Sequence, residues 1–102
     1  MKNGFKLLWT DTALADLNGI LAYLVETWTH RELKNFVTRL ERRLLIITEN
    51  PNLFPRTSRR RGVRKSVLTK HVVIYYRVRD KQIELLTLFD PRQNPKKLRL
   101  PR

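Results

Sequence analysis

The sequence contains no cysteine, which excludes a disulfide framework and a thiolate metal site and fits a reducing cytosolic compartment. Histidine is nearly as scarce. His30 and His71 are too few for a zinc cluster, so neither metal nor other cofactor is expected. Long hydrophobic runs are missing as well: stretches such as Leu44–Ile47 and Val72–Tyr76 are much too short to cross a bilayer. The opening MKNGFKLLWTD is broken by Lys6 and leads into helix-start residues, unlike a secretory leader. These absences point to a soluble cytoplasmic protein that does not engage a membrane. At 102 residues and 41% apolar content there is material for one core, hence a single domain over 1–102, with a basic, proline-containing tail from about residue 90.

Acidic side chains are also few, and here the shortage is lopsided. Residues 1–51 carry seven basic and six acidic side chains, a balance of +1, whereas residues 52–102 carry fifteen and three, a balance of +12. A solubilising surface would spread that excess. Its concentration in one half implies a face that meets a polyanion, either nucleic acid or an acidic protein.

Residues 5–9 alternate Phe5, Leu7 and Trp9 on one side, as in a strand, and Thr10 and Asp11 offer N-cap oxygens to a helix running to about residue 27. Leu14, Leu17, Leu21, Leu24 and Trp28 recur at helical spacing and form its expected apolar side. Thr29 and Glu32 make a capping box that starts a second helix, with Leu33, Phe36, Val37, Leu40, Leu44 and Ile47 on one face and Asn50-Pro51 as its stop. Leu45 and Ile46 fall off that face; they are either buried deeper in the chain or covered by a partner. After a loop from Pro51 to Gly62 come three strands, near 63–69, 72–78 and 83–89, with a turn at Arg79-Asp80-Lys81. The order is β-α-α-β-β-β. It implies an α+β fold in which a small antiparallel sheet carries the helical hairpin on one face.

On the third strand Val72, Ile74, Tyr76 and Val78 should lie under the helices, leaving His71, Tyr75 and Arg77 on the opposite face. With Arg64 and Ser66 from the neighbouring strand, and Arg59, Arg60, Arg61, Lys65 and Arg92 at the margins, this face is expected to form a cationic cleft. Guanidinium suits phosphate because it offers paired, charge-assisted hydrogen bonds, and Tyr75 could stack on an unpaired base. Each residue also has a plainer reading: Tyr75 as sheet packing, His71 as a solvated turn residue, Arg77 as protection of a sheet edge, and the arginine run as an unliganded loop.

The chain resembles the RelE/ParE superfamily of toxins from type II toxin–antitoxin systems over nearly its whole length. The resemblance is carried by Trp9-Thr10-Asp11-x-Ala13, Asn50-Pro51-x-Leu53-Phe54-Pro55, Gly62-Val63-Arg64-Lys65, Ile74-Tyr75-Tyr76-Arg77, and Phe89-Asp90-Pro91-Arg92-Gln93-Asn94-Pro95. It implies a growth inhibitor neutralised by a cognate acidic antitoxin, for which Leu45 and Ile46 are candidate contacts. The target it implies is either DNA gyrase, as for ParE-like members, or the ribosome and its mRNA, cut by RelE-like members. Arg64 and Arg92 match or lie near basic positions of the ribonucleases, and His71 and Tyr75 are the remaining catalytic candidates. Residues 90–102, however, contain neither the Tyr nor the His that ribonuclease members commonly carry there as acid or base, and guanidinium cannot titrate usefully. The tail resembles the ParE-like branch, which favours a non-nucleolytic gyrase poison. A ribosome-dependent endoribonuclease and a plain nucleic-acid-binding module stand as alternatives, and a homodimer is left open.

Overall fold

Strand β1 (Lys6–Trp9) runs through Thr10 into helix α1 (Asp11–Thr27), and Thr10 bonds both to the sheet. Its hydroxyl accepts the Ala13 amide at 3.1 Å, as an N-cap, and donates to the Leu85 carbonyl at 2.7 Å. The computed structural model describes residues 5–27 and 29–101. Helix α2 (His30–Glu49) begins at the expected capping box: Thr29 Oγ1 accepts from the Glu32 amide, and Glu32 Oε1 accepts from the Thr29 amide at 3.1 Å. Strands β2 (Val63–Thr69), β3 (Val72–Arg79) and β4 (Gln82–Phe89) follow, then one 3-10 turn at Pro95–Lys97. Neither helix is long and apolar enough to cross a membrane.

The strands lie in the order β1-β4-β3-β2. The β2-β3-β4 meander is antiparallel, as its short turns require, but β1 pairs parallel to β4, from Lys6 opposite Gln82 to Trp9 opposite Leu85. The sheet is therefore mixed, not wholly antiparallel, because two helices lie between β1 and the meander and carry the chain back across the sheet. A bulge in β4 leaves Leu86 unopposed between the pairs Tyr75–Thr87 and Tyr76–Leu85.

Both helices pack on one face of the sheet. Ala13 and Leu24 of α1 and Phe36, Leu40, Leu44 and Ile47 of α2 close over Leu68, Val72, Ile74, Tyr76, Ile83, Leu85 and Leu88. Of the expected apolar side of α1, Leu24 is buried and Leu17 and Leu21 pack at the core's edge with Ile20, whereas Leu14 is 46% exposed and Ala13 is sealed. Trp28 lies outside the described residues. A polar contact also fixes α1. The Asp16 carboxylate accepts from the Thr87 hydroxyl and from the Leu88 amide at 3.1 Å, so the helix is clamped to β4 through a residue that periodicity cannot weigh.

Tyr76 anchors the loop after α2. It is fully buried, and its hydroxyl donates to the carbonyl of the buried Pro51 at 2.7 Å. Burial pushes this phenol up to about 12, with the Arg64 charge acting in the opposite sense. A raised folded-state value means that stability is complete below the ordinary 10.0 and is lost as pH climbs towards about 12. Over that window the unfolded chain releases a proton the folded chain retains, at up to about 1.4 kcal/mol per pH unit. Tyr76→Phe should cost about 1–3 kcal/mol near neutrality by stranding the Pro51 carbonyl, and should flatten the alkaline limb. Urea unfolding across the alkaline range measures both effects; an unaltered limb would assign it to other groups.

Candidate functional site

The sheet face opposite the helices is not an open cleft. Val63, Val73, Tyr75 and Leu86 form a second buried cluster, and Phe89, Leu98 and Leu100 pack against it. The basic tail thus returns across the face expected to receive ligand. Asn94 Oδ1 accepts from the Lys96 amide at 2.9 Å to start the 3-10 turn, with Pro95 at its first position. Beyond it the side chains alternate, Leu98 and Leu100 partly buried, Lys97 and Arg99 exposed. The Arg60 guanidinium donates to the Pro101 carbonyl at 2.9 Å, joining the end of the tail to the loop.

That loop is held along its length. The Thr57 amide donates to the Val63 carbonyl at 2.8 Å, the Lys65 amide to the Pro55 carbonyl at 3.0 Å, and Thr57 Oγ1 accepts from the Arg59 amide at 3.1 Å. Gly62 completes the turn at φ +79°, a left-handed conformation that disfavours any residue with a Cβ. The Arg59-Arg60-Arg61 run therefore sits on a fixed turn, with Arg59 and Arg61 exposed. Lys65, opposite Tyr75, is exposed on the same face as the tail. Arg59, Arg60 and Arg61 thus lie on the turn that leads into β2 and Lys65, and the tail that Arg60 clasps carries Lys96, Lys97 and Arg99, beyond the expected set. The alternation Lys97-Leu98-Arg99-Leu100 is the signal for Lys97 and Arg99.

The other expected members lie elsewhere. Arg64 and Ser66 are on the helix side of the sheet, because the register sets Arg64 opposite Tyr76 and Ser66 opposite Ile74. The Arg64 guanidinium donates to the Phe54 carbonyl at 2.7 Å, beside a depression of about 230 Å³ that it shares with Asn52, Arg56, Gly62 and Val78. Ser66 Oγ accepts from Arg43, whose guanidinium also donates to the Val67 carbonyl at 2.7 Å and so blunts the free edge of β2. Arg77 does face the second cluster, but its Nε binds Glu84 Oε1 at 2.6 Å, with both side chains largely enclosed. Arg92 is gripped by Asp90, Nη2 to Oδ2 at 2.7 Å and Nε to both oxygens at 3.1 Å. Its hydrogen bond holds the Asp90 carboxyl below the usual carboxylate range, helped by the charges of Arg92 and His71.

Tyr75 is 8% exposed and belongs to the second cluster, so no ring is offered for base stacking and the packing reading applies. His71 lies in the β2–β3 turn, its buried Nδ1 without a hydrogen bond among the described residues. It precedes β3, whereas Arg64 opposes Tyr76, five residues further along, or about 16 Å at the usual strand rise. Neither His71 nor Tyr75 can reach a phosphate held by Arg64, and Arg92, three residues beyond the Phe89–Val73 pair, is at the His71 end of the sheet. The convergence of Arg64, Arg77 and Arg92 on one face does not occur.

This fold has parallels among known proteins. The family model for the ParE toxin of type II toxin–antitoxin systems, parDE, matches residues 7–95. The chain belongs to the ParE toxin family. It is the toxin component of a type II toxin–antitoxin system, within the RelE/ParE superfamily that its motifs resemble. Among solved structures, the chromosomal ParDE system of P. aeruginosa is similar, with a TM-score of 0.73 and 25% identity over 85% of this chain and 96% of that one. A copper-bound mutant toxin from Helicobacter pylori (TM-score 0.62, 17% identity, 84% and 93% covered) and the YoeB dimer from Staphylococcus aureus (0.60, 16%, 85% and 97%) share the fold. No curated protein matches the sequence.

The toxin's arginines thus divide into those with and those without a partner among the described residues, which stability measurements can separate. Glu84→Gln should lower the unfolding free energy by about 3 kcal/mol, since it strands an enclosed guanidinium. Arg61→Gln should leave it within about 0.5 kcal/mol. Chemical denaturation of both variants decides the matter, and equal effects would contradict the division.

Proposed function

We propose that the toxin acts in the cytoplasm as a non-nucleolytic poison of DNA gyrase. The observation that carries this reading is the separation of Arg64, His71, Tyr75 and Arg92, the groups a ribonuclease would need around one phosphate. General acid–base catalysis needs a titratable group within hydrogen-bond reach of the reacting atoms. The surface that does assemble consists of Arg59, Arg61, Lys65 and the tail cations, and guanidinium and ammonium groups bind anions without exchanging protons near neutral pH. The similarity to the ParDE system of P. aeruginosa supports the same reading. Purified toxin should inhibit supercoiling by gyrase at stoichiometric concentration and leave mRNA intact in a translating extract. Codon-linked cleavage that disappears in Arg64→Ala and Arg92→Ala would replace this reading with the RelE-like one, and full gyrase activity at large toxin excess would remove the target.

We further infer that the cognate antitoxin is acidic and docks along α2. Leu45 and Ile46 are 58% and 39% exposed, so neither is buried by the described residues. Beside Ile46 runs a groove of about 720 Å³, floored by Phe36 and bordered by Arg39 and Arg42. An amphipathic acidic segment would fill the groove with apolar side chains and meet the two guanidiniums with carboxylates. Ile46→Glu combined with Leu45→Glu should abolish copurification with the antitoxin while growth arrest persists. Retained copurification would move the interface elsewhere.

A further inference from the structure

The tail that seals the second face also aims cations. Leu98 and Leu100 turn onto the cluster of Val63, Val73, Tyr75 and Leu86, and the alternation leaves Lys97 and Arg99 in solvent. Through the Arg60–Pro101 hydrogen bond this strap is clasped to the turn bearing Arg59 and Arg61. The two acids nearest in sequence to Lys97 and Arg99 are engaged elsewhere, Asp90 by Arg92 and Glu84 by Arg77. No ion pair among the described residues involves Arg59, Arg61, Lys97 or Arg99. Four exposed cations are thus carried on two segments, almost forty residues apart, that folding has already joined, which lowers the ordering cost of binding.

The surface also lacks what single-stranded ligands use. Its aromatic residues, Tyr75 and Phe89, are buried or half-buried, whereas proteins that hold unpaired bases stack them on exposed rings. A duplex offers phosphates at the greatest linear density, about one charge per 1.7 Å, with its bases already stacked. We propose that the strap and the 56–61 loop form a binding site for the sugar–phosphate backbone of duplex DNA, in which Leu98 and Leu100 are positioning residues that keep Lys97 and Arg99 beside Arg59 and Arg61. The site operates without gyrase, so it stands or falls independently of the target assigned above.

A chain this basic binds any polyanion to some extent, so the test compares placements of equal charge. Fluorescence anisotropy with a short labelled DNA duplex, over a salt series, is measured for the parent and for two quadruple variants. One is Arg59→Gln/Arg61→Gln/Lys97→Gln/Arg99→Gln; the other removes four exposed cations outside both the strap and the α2 groove, Lys6→Gln/Arg31→Gln/Lys34→Gln/Lys70→Gln. The first should weaken binding at least about tenfold and reduce the log–log salt slope by about 0.9 for each phosphate no longer neutralised, while the second stays within about twofold of the parent. A third variant, Leu98→Ser/Leu100→Ser, keeps every charge but frees the strap; it should bind more weakly while circular dichroism shows the helices and sheet intact. If it does not fold, Leu100→Ala alone provides the same reading. Equal losses in the two quadruple variants would reduce the effect to net charge and overturn the site. Tighter binding to the single strand than to the duplex would overturn the ligand, and parent-like binding by the leucine variants would overturn the positioning role.

Discussion

Strand β3 is buried on both sides, and the rest of the molecule is arranged to keep it so. Val72, Ile74 and Tyr76 point into the helix-side core, and Val73 and Tyr75 point the other way. Full burial of an aliphatic or aromatic side chain is worth about 1.5–3 kcal/mol, so a strand apolar on both sides needs a cover on each. The two helices supply one cover. No third α-helix among the described residues supplies the other, and the C-terminal tail lies across that face, with Leu98 and Leu100 as its apolar contacts.

This constraint settles the electrostatics too. Cations cannot occupy the middle of a face that the tail covers, so those near it are either paired, as Arg77 is by Glu84, or displaced to the rim. At the rim they gather: the fixed turn after Pro55 brings Arg59 and Arg61, and the strap brings Lys97 and Arg99. Loop 51–62 and tail 90–102 carry nine basic side chains and one acidic, +8 of the second half's +12, and apolar packing beneath the tail holds it in place. Surface charge and second core are one structural feature, since loosening the leucines would scatter the cations.

Much of the architecture was legible beforehand, for identifiable reasons. The capping box at Thr29 and Glu32, the α2 face from Phe36 to Ile47 and the three strands of the meander all rest on local chemistry and periodicity, which a linear sequence carries whole. The inward set Val72, Ile74, Tyr76 was readable for the same reason. What the sequence leaves open is the relation between segments. Strand alternation without a register groups Arg64 and Ser66 with Tyr75, whereas the pairing sets them opposite Tyr76 and Ile74, and a shift of one residue moves a strand's side chains to the other face. Leucine spacing alone puts Leu14 inward, because it takes no account of the Asp16 clamp on β4. The parallel pairing of β1 depends on where two helices return the chain, and no residue in Lys6–Trp9 encodes it.

The same division runs through the functional reading. Composition and motif order by themselves determined that this is a small basic toxin of the RelE/ParE superfamily, lacking a C-terminal acid or base, because charge balance and short motifs are properties of the chain as written. Which cations share a surface was decided only by the tertiary structure. Arg60 meets Pro101 across forty-one positions, and Arg64 parts from Arg77 although both strands are adjacent. Such proximities depend on strand register and on what covers each face of the sheet, and those are fixed by packing among distant residues.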